Sequence, residues 1–302
     1  MILAAVDAQT LVDAVGLGAV YALMAVGIGL VFGVLRLVNF AYGQLIMAGA
    51  YTLAFTSGWP VAASVVACFA VVIALSLLME GAVFRPLRTQ SPAVMLVTTF
   101  AIAFLLQAVA LILDIRDGTI GEPAASVASL NQVVTIGGVD VRRVTILAVA
   151  VAFVALGLLA LLLARTTVGL QMRAASTDFR TARLLGVKAD HVIGAAVLLS
   201  GIIAATVAVI LTVQLPLVSP DFALKETIVV LVGVVVGGID RLWTATLGGF
   251  AIGFASGVIN GALPTDKTVF LPSAVFALVI LVLLLRPAGL FARGGATVVD
   301  RV

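Results

Sequence analysis

Charged residues are scarce in this chain. Asp, Glu, Lys and Arg make up 10% of its 302 residues, whereas 63% are hydrophobic and the mean hydropathy is +1.29. Soluble domains carry about 25% charged residues. The shortage excludes a soluble globular fold. It also excludes nucleic acid as a partner, because that binding needs a clustered basic face on a soluble domain. An integral membrane protein, with lipid around it, is therefore predicted.

Residues that hold metals or perform catalysis are scarce as well. The single cysteine, Cys68, and the single histidine, His191, lie far apart in the sequence, so they predict neither a metal site nor an internal disulfide. The sequence contains no GxxxxGK[ST] phosphate loop, which excludes ATP hydrolysis by that route. We expect a protein that is not an enzyme and that binds no metal or cofactor itself.

Apolar runs, in contrast, are abundant, and many are long enough to cross a bilayer as a helix, which takes about 17–25 residues. They predict an all-α polytopic membrane protein with eight or nine transmembrane helices in a single domain, residues 1–302. The second and seventh runs are short or rich in polar residues and glycine. One or both are therefore predicted to be broken or re-entrant helices. The predicted spans are residues 12–35, 40–57, 60–80, 93–113, 144–164, 192–213, 226–239, 242–262 and 269–285.

The distribution of lysine and arginine predicts the orientation. Twelve of the 17 basic residues share one side if the loops 84–92 and 165–191, the C-terminus, Arg36 and Arg241 all face the cytoplasm. Basic loops are retained in the cytoplasm. We therefore expect a cytoplasmic C-terminus and an N-terminus outside, with residues 114–143 as the longest outer loop.

One stretch, LVNFAYGQLIMAGAY at residues 37–51, combines amides and phenols with apolar residues. On a helix Gln44, Met47 and Tyr51 share one face. We interpret Asn39, Tyr42 and these three residues as lining a polar translocation path that contains no fixed buried charge. The alternative is hydrogen bonding between helices, for which Asn39 is the first candidate.

Two further patterns predict contacts. Gly249, Gly253, Gly257 and Gly261 recur at four-residue intervals, which is typical of a ridge where another helix packs closely. The loop 165–191 contains an amphipathic segment with Met172, Phe179, Leu184 and Leu185 as apolar anchors. Gly169 and Gly186 are predicted to start and end this helix. It fits a groove on another protein or, alternatively, a surface of anionic lipid.

The same loop carries the pattern G-x3-R-A-x7-A-R-x2-G-V, which includes Gly169, Arg173, Ala174, Arg183 and Gly186. Three other stretches accompany it in order: GAVYALMAVGIGLVFGVLRLVNFAYGQLIMAGAY near the start, VVVGGIDRLWTATLGGFAIG at 234–253 and FALVILVLLLRPAGLF at 276–291. Together they resemble the LivH-type permease subunit of branched-chain amino acid ABC importers, almost from end to end.

The resemblance implies a subunit of an ATP-driven importer in the bacterial inner membrane. Its implied partners are a second permease of the LivM type, two ATPase subunits that use the ATP, and an extracytoplasmic solute-binding protein. The loop 165–191 would be the cytoplasmic coupling loop. Its implied coupling residues are Gly169, Arg173, Ala174, Asp178, Arg183 and Gly186.

Two departures from the family pattern affect the expected substrate. The family's Asn-Phe-Ala motif usually continues with His, Gly and Glu, but Tyr42 and Gln44 replace the titratable residues here. Around residues 237–244, Asp240, Arg241 and Trp243 occur where the family has small residues. Branched-chain amino acids remain the first expectation, and small amides or urea are the alternative. An ion-coupled secondary transporter is a weaker alternative, because the predicted spans have almost no ionisable residues.

Overall fold

The computed structural model describes residues 7–36, 38–87, 90–117, 121–128, 130–136, 139–177, 179–238 and 241–286. These residues are overwhelmingly helical, which confirms the predicted all-α polytopic fold. A π-helix, Glu80–Phe84, joins α3 to α4, and a 3-10 helix, Thr265–Phe270, precedes α13. The α-helices are α1 (Ala8–Leu35), α2 (Tyr42–Phe55), α3 (Val61–Met79), α4 (Arg85–Leu87), α5 (Pro92–Asp117), α6 (Ala125–Ala128), α7 (Arg143–Arg165), α8 (Thr167–Thr177), α9 (Phe179–Leu184), α10 (Ala189–Gln214), α11 (Leu224–Gly237), α12 (Leu242–Ala262) and α13 (Leu271–Leu285).

Two helices, α2 and α11, are shorter than a membrane is thick. Each has 14 residues, or about 21 Å at 1.5 Å per residue, against a hydrocarbon layer of about 30 Å. In the described part of the chain, seven other helical stretches are long and apolar enough to span a bilayer. The short pair corresponds to the second and seventh predicted spans, so the sequence identified the two atypical segments correctly.

The long helices α1 and α10 form the centre of the molecule. They pack against each other, and most of their side chains are buried. One serine hydrogen bond joins α10 to α1, and another joins α3 to α10. The Ser200 hydroxyl donates to the Gly27 carbonyl of α1 at 2.8 Å, and the Ser76 hydroxyl of α3 donates to the Val197 carbonyl at 3.1 Å. In contrast, α5, α7 and α13 expose many apolar side chains, as membrane-facing helices do.

The two ends of the chain repeat one packing arrangement. A long helix, a short helix and another long helix follow one another as α1, α2 and α3, and again as α10, α11 and α12. Helix α12 packs against α1 as α3 packs against α10, and each short helix also packs against the central helix of the other half. Arg36 at the end of α1 contacts α8, which comes shortly before the start of α10, so α1 and α10 run in opposite directions and so do the two halves. This is the arrangement of an inverted-topology repeat.

The predicted outer loop contains ordered structure. Strand β1 (Glu122–Pro123) pairs antiparallel with β4 (Leu217–Val218), which follows α10. Strands β2 (Val133–Ile136) and β3 (Val139–Arg142) form a hairpin. Helix α5 also continues to Asp117, so the start of this region, predicted as loop from residue 114, is helical.

The four regularly spaced glycines of α12 all face α1. A Cβ atom added at Gly253 would lie 2.8 Å from the Gly18 Cα atom, and one at Gly257 would lie 2.5 Å from the Ala14 Cα atom. Added Cβ atoms at Gly249 and Gly261 would likewise meet Ala25 and Thr10. The absence of side chains therefore lets the two helix backbones approach closely, which is the role that the spacing predicts.

Gly253→Ala is expected to destabilise the protein by about 1–3 kcal/mol, because the new methyl group must displace the α1 backbone. Gly157→Ala is the matched control, since α7 leaves open space around Gly157. It should be neutral or slightly stabilising, because alanine favours helix more than glycine. The melting temperatures of both variants in detergent measure this difference. Equal melting temperatures would contradict the proposed close contact.

Candidate functional site

A tight turn precedes the short helix α2. The Asn39 Oδ1 atom accepts a hydrogen bond from the Ala41 backbone N–H at 3.0 Å, and the Asn39 carbonyl accepts one from the Tyr42 N–H at 3.3 Å. The Phe40 ring stacks on Phe100 of α5, with ring centroids 4.2 Å apart. Asn39 therefore supports the backbone that begins α2, and its side chain bonds within this turn.

Tyr42 and Gln44 occupy the first turn of α2 and are almost completely enclosed. Their side chains are 0% and 1% exposed. Within the described residues, the Tyr42 hydroxyl and the Gln44 Oε1 atom are buried without a hydrogen-bond partner. The Tyr42 hydroxyl lies against Gly27 of α1, which has no side chain to fill that space. Leaving such a group unsatisfied costs about 1–3 kcal/mol.

Tyr51, near the outer end of α2, hydrogen-bonds a buried carboxylate. Its hydroxyl donates to the two Asp114 oxygens, each at 2.9 Å, and the Gly121 N–H donates to Asp114 Oδ2 at 3.1 Å. The Asp114 side chain is completely buried. The sequence analysis did not expect a buried acidic side chain beside these residues, so Asp114 corrects that expectation. The burial of Asp114 was not predicted because this residue was assigned to the outer loop.

The five predicted path residues thus lie in one short helix and the turn before it: Asn39, Tyr42, Gln44, Met47 and Tyr51. All five are buried in this conformation. They pack against other helices of the same chain, so the arrangement is closed. A path along them requires movement of α2, and the path remains a prediction.

The start of α11 matches the start of α2 in both sequence and backbone. Asn39-Phe40-Ala41 followed by Gln44 corresponds to Asp221-Phe222-Ala223 followed by Glu226. The Leu224 N–H donates to the Asp221 carbonyl at 3.0 Å, as the Tyr42 N–H does to Asn39. The Thr227 N–H donates to the Ala223 carbonyl at 3.0 Å, as the Leu45 N–H does to Ala41 at 3.2 Å. The short helices therefore begin with equivalent turns.

These two helix starts meet each other. A Cβ atom added at Gly43 would lie 3.0 Å from the Ala223 carbonyl oxygen and 3.1 Å from the Thr227 Cβ atom. The Glu226 carboxyl oxygen Oε2, like the Gln44 amide oxygen Oε1, is buried without a partner among the described residues. Asp114, Glu226 and Thr227 are site residues that the sequence analysis missed. Comparing NFAYGQ with DFALKE would have identified Glu226.

The predicted coupling loop, residues 165–191, contains two helices, α8 and α9, rather than one. Helix α8 begins at Thr167, and the Thr166 hydroxyl caps it by accepting the Gly169 N–H at 3.1 Å. The prediction that Gly169 starts the helix is therefore wrong by two residues. Gly169 instead lies so close to the end of α7 that an added Cβ atom would be 2.5 Å from the Leu163 Cα atom.

The predicted end of the loop helix is correct. Gly186 follows α9 with φ of +89°, a left-handed conformation that glycine adopts without strain. The Val187 N–H donates to the Ala182 carbonyl at 3.1 Å, which completes a Schellman motif.

The apolar anchors of the loop divide between the protein interior and its surface. Met172 is buried against the chain itself, so its prediction as an anchor for a partner is wrong. Leu184 and Leu185 are 84% and 81% exposed. Arg173 and Ala174 are exposed on α8. Asp178 lies outside the described residues, as do the side chains of Arg183 and Phe179. An apolar pair at a helix end is thus available to a partner.

The predicted coupling loop contacts the central helix α1 directly. Arg36, which ends α1 with φ of +54°, donates a hydrogen bond from its guanidinium group to the Ser176 carbonyl of α8. Arg36, Arg173 and Arg241 line a cleft of about 680 Å³ between α1, α8 and the start of α12. Asp240, beside this cleft in sequence, lies outside the described residues. Movement of α8 can therefore be transmitted to α1 through the hydrogen bond between Arg36 and Ser176.

Taken together, the apolar helices, the two short helices with converging ends and the exposed loop pair define a multi-pass membrane transport protein. Residues 10–286 match the family described as "Branched-chain amino acid transport system / permease component", and the chain belongs to that family. Similar curated proteins include the high-affinity branched-chain amino acid transport system permease proteins BraD of Pseudomonas aeruginosa, 30% identical, and LivH of Escherichia coli K12, 27% identical. Each comparison covers 94% of this chain and 95% of the relative. No solved structure matches the chain.

Tyr51→Phe should destabilise the protein by about 1–3 kcal/mol, because the buried Asp114 carboxylate loses a donor. Tyr42→Phe is the control in the same helix, since it removes a hydroxyl that has no partner in the described residues. It should be neutral or stabilising. Melting temperatures of both variants in detergent test the difference, and an equal loss in the two would contradict the assigned hydrogen bond.

Proposed function

We propose that this chain is the membrane-spanning permease subunit of an ATP-driven importer that carries branched-chain amino acids into the cytoplasm. The observation that carries the proposal is the family match over residues 10–286, which leaves almost no part of the chain outside it. The names of the similar proteins supply the substrate class. The chain itself offers no phosphate loop, so ATP would be hydrolysed by partner subunits.

The proposed partners follow from this division of labour. Two ATPase subunits would bind at the cytoplasmic face, a second permease of the LivM type would pair with this chain in the membrane, and an extracytoplasmic binding protein would deliver the substrate. The basic loops support the proposed orientation, with the C-terminus in the cytoplasm and the N-terminus outside. Small amides and urea remain the second substrate class because of Tyr42 and Gln44.

Coupling would occur through the α8–α9 loop. The exposed Leu184 and Leu185 side chains are suited to a hydrophobic groove on an ATPase subunit. Arg173 and Ala174 are exposed on α8, and the Arg36 contact connects that helix to α1. Movement of an ATPase subunit would then be transmitted to the centre of the membrane domain.

Uptake in proteoliposomes tests the proposed energy source. The complete complex should accumulate leucine only when ATP, the partner permease and the binding protein are all present. Leucine uptake driven by an ion gradient without ATP would contradict the proposal and favour a secondary transporter. The buried carboxyl groups of Asp114 and Glu226 make this comparison necessary, because buried acids are common in ion-coupled carriers.

Replacing both Leu184 and Leu185 with Asp should detach the ATPase subunits, because two charged groups would enter the proposed apolar groove. Leu217→Asp is the control, since Leu217 is also exposed but lies in β4, toward the other side of the membrane. Co-purification of the ATPase subunits measures the effect. If the double variant co-purified the ATPase subunits in the wild-type amount, this leucine pair would be excluded from coupling.

A further inference from the structure

Unpartnered polar atoms concentrate at one place in the fold. Among the described residues, the Tyr42 hydroxyl, Gln44 Oε1 and Glu226 Oε2 are buried without hydrogen-bond partners. All three side chains belong to the first turns of the short helices α2 and α11. Each unsatisfied group costs about 1–3 kcal/mol. Three such groups at one junction point to a ligand that satisfies them when it is present.

Gln44 and Glu226 occupy equivalent positions in the two halves of the chain. Each lies three residues after the alanine of an Asn-Phe-Ala or Asp-Phe-Ala turn, and the backbone hydrogen bonds of the two turns correspond. Their unpartnered atoms are both oxygen acceptors. The repeat therefore presents two matching acceptors, one from each half.

The junction lies well inside the membrane domain. Tyr42 contacts Gly27, which precedes the end of α1 at Leu35 by eight residues, or about 12 Å of helix. Phe40 stacks on Phe100, eight residues after the start of α5 at Pro92, so α2 begins at a similar depth beside α5. Helix α11 begins at the same level, because Gly43 lies against Ala223 and Thr227.

Two helix N-termini therefore converge within the membrane. Each carries the partial positive charge of a helix N-terminus, which favours an anionic group nearby. In transporters built from inverted repeats, short helices at corresponding positions of the two halves mark the substrate site. The junction thus combines anion-binding helix ends with acceptor oxygens for a cationic or donor group.

We propose that the junction of α2 and α11 is a transit site for zwitterionic α-amino acids. The oxygens of Gln44 and Glu226 receive the α-ammonium group, and the helix N-termini receive the α-carboxylate. This inference rests on the proposed function and extends it by assigning a substrate-recognition site to this subunit. Urea fits less well, because it offers N–H donors to the oxygens but no anionic group to the helix ends.

The contact between Gly43 and Thr227 means that the site is closed in this structure. A substrate enters it when the two helix starts separate. Gly43 has no side chain, which allows the two turns to close completely after the substrate has passed. The unpartnered oxygens then return to their buried state.

The test measures ATP-driven uptake of leucine by the complete complex with saturating binding protein. Gln44→Leu and Glu226→Leu remove the acceptors while roughly preserving side-chain size, and each should slow uptake about tenfold. Gln44→Glu and Glu226→Gln keep an acceptor oxygen and should be less impaired than the corresponding Leu variants. Gln107→Leu in α5 and Glu80→Gln are matched controls outside the junction and should transport normally.

Direct binding of radiolabelled leucine to the complex without the binding protein provides a second readout. Both Leu variants should lose this binding without any fall in melting temperature, which separates recognition from a structural role. 4-Methylpentanoate and 3-methylbutylamine, which each retain one charged group of leucine, should compete with it and urea should not.

Wild-type uptake rates in both Leu variants would overturn the site while leaving the proposed function intact. Loss of uptake that matches a loss of melting temperature would also overturn it, because the side chains would then serve folding. A wild-type complex that imports no leucine would contradict the proposed function itself.

Discussion

The satisfaction of backbone polar groups inside a lipid bilayer is the constraint on which this structure depends. A helix of 14 residues cannot reach both sides of the hydrocarbon layer, so the chain before α2 and before α11 must enter the membrane without helical hydrogen bonds. Such backbone is tolerated only when protein surrounds it. The long helices α1 and α10 provide that shield, and the turn bonds of Asn39 and Asp221 satisfy the groups that remain.

Close helix packing follows from the same constraint. Short helices are shielded only if the long helices approach them closely, which explains why small residues line these contacts. Gly27 leaves space for the Tyr42 ring, Gly43 admits Thr227, and the Gly253 ridge lets α12 lie directly on α1. Polar side chains that lie in this apolar interior cost free energy. Hydrogen bonds such as that from Ser200 to the Gly27 carbonyl offset part of this cost.

Features set by local sequence were predictable. Composition and run length identified a polytopic helical protein, the polar and glycine content marked the second and seventh spans, and a lone glycine after α9 predicted its positive-φ end. Features set by distant contacts were not. The Tyr51–Asp114 hydrogen bond joins residues 63 positions apart, and Met172 is buried because α8 folds back toward α1 and α7. The correspondence of NFAYGQ with DFALKE was visible, but its meaning depends on the two turns meeting in space.

The contact between the two short helices inside the membrane is the feature on which the proposed transit site most directly depends. A Gly43→Cys and Thr227→Cys double variant, in a Cys68→Ala background, tests this contact by disulfide formation. The Cβ atoms would start about 3.1 Å apart, slightly less than the 3.5–4.5 Å of a relaxed disulfide. We predict that a membrane-permeant oxidant links the two positions within one chain and blocks uptake reversibly. Failure to form this link in membranes, while the double variant folds and transports normally, would contradict this prediction.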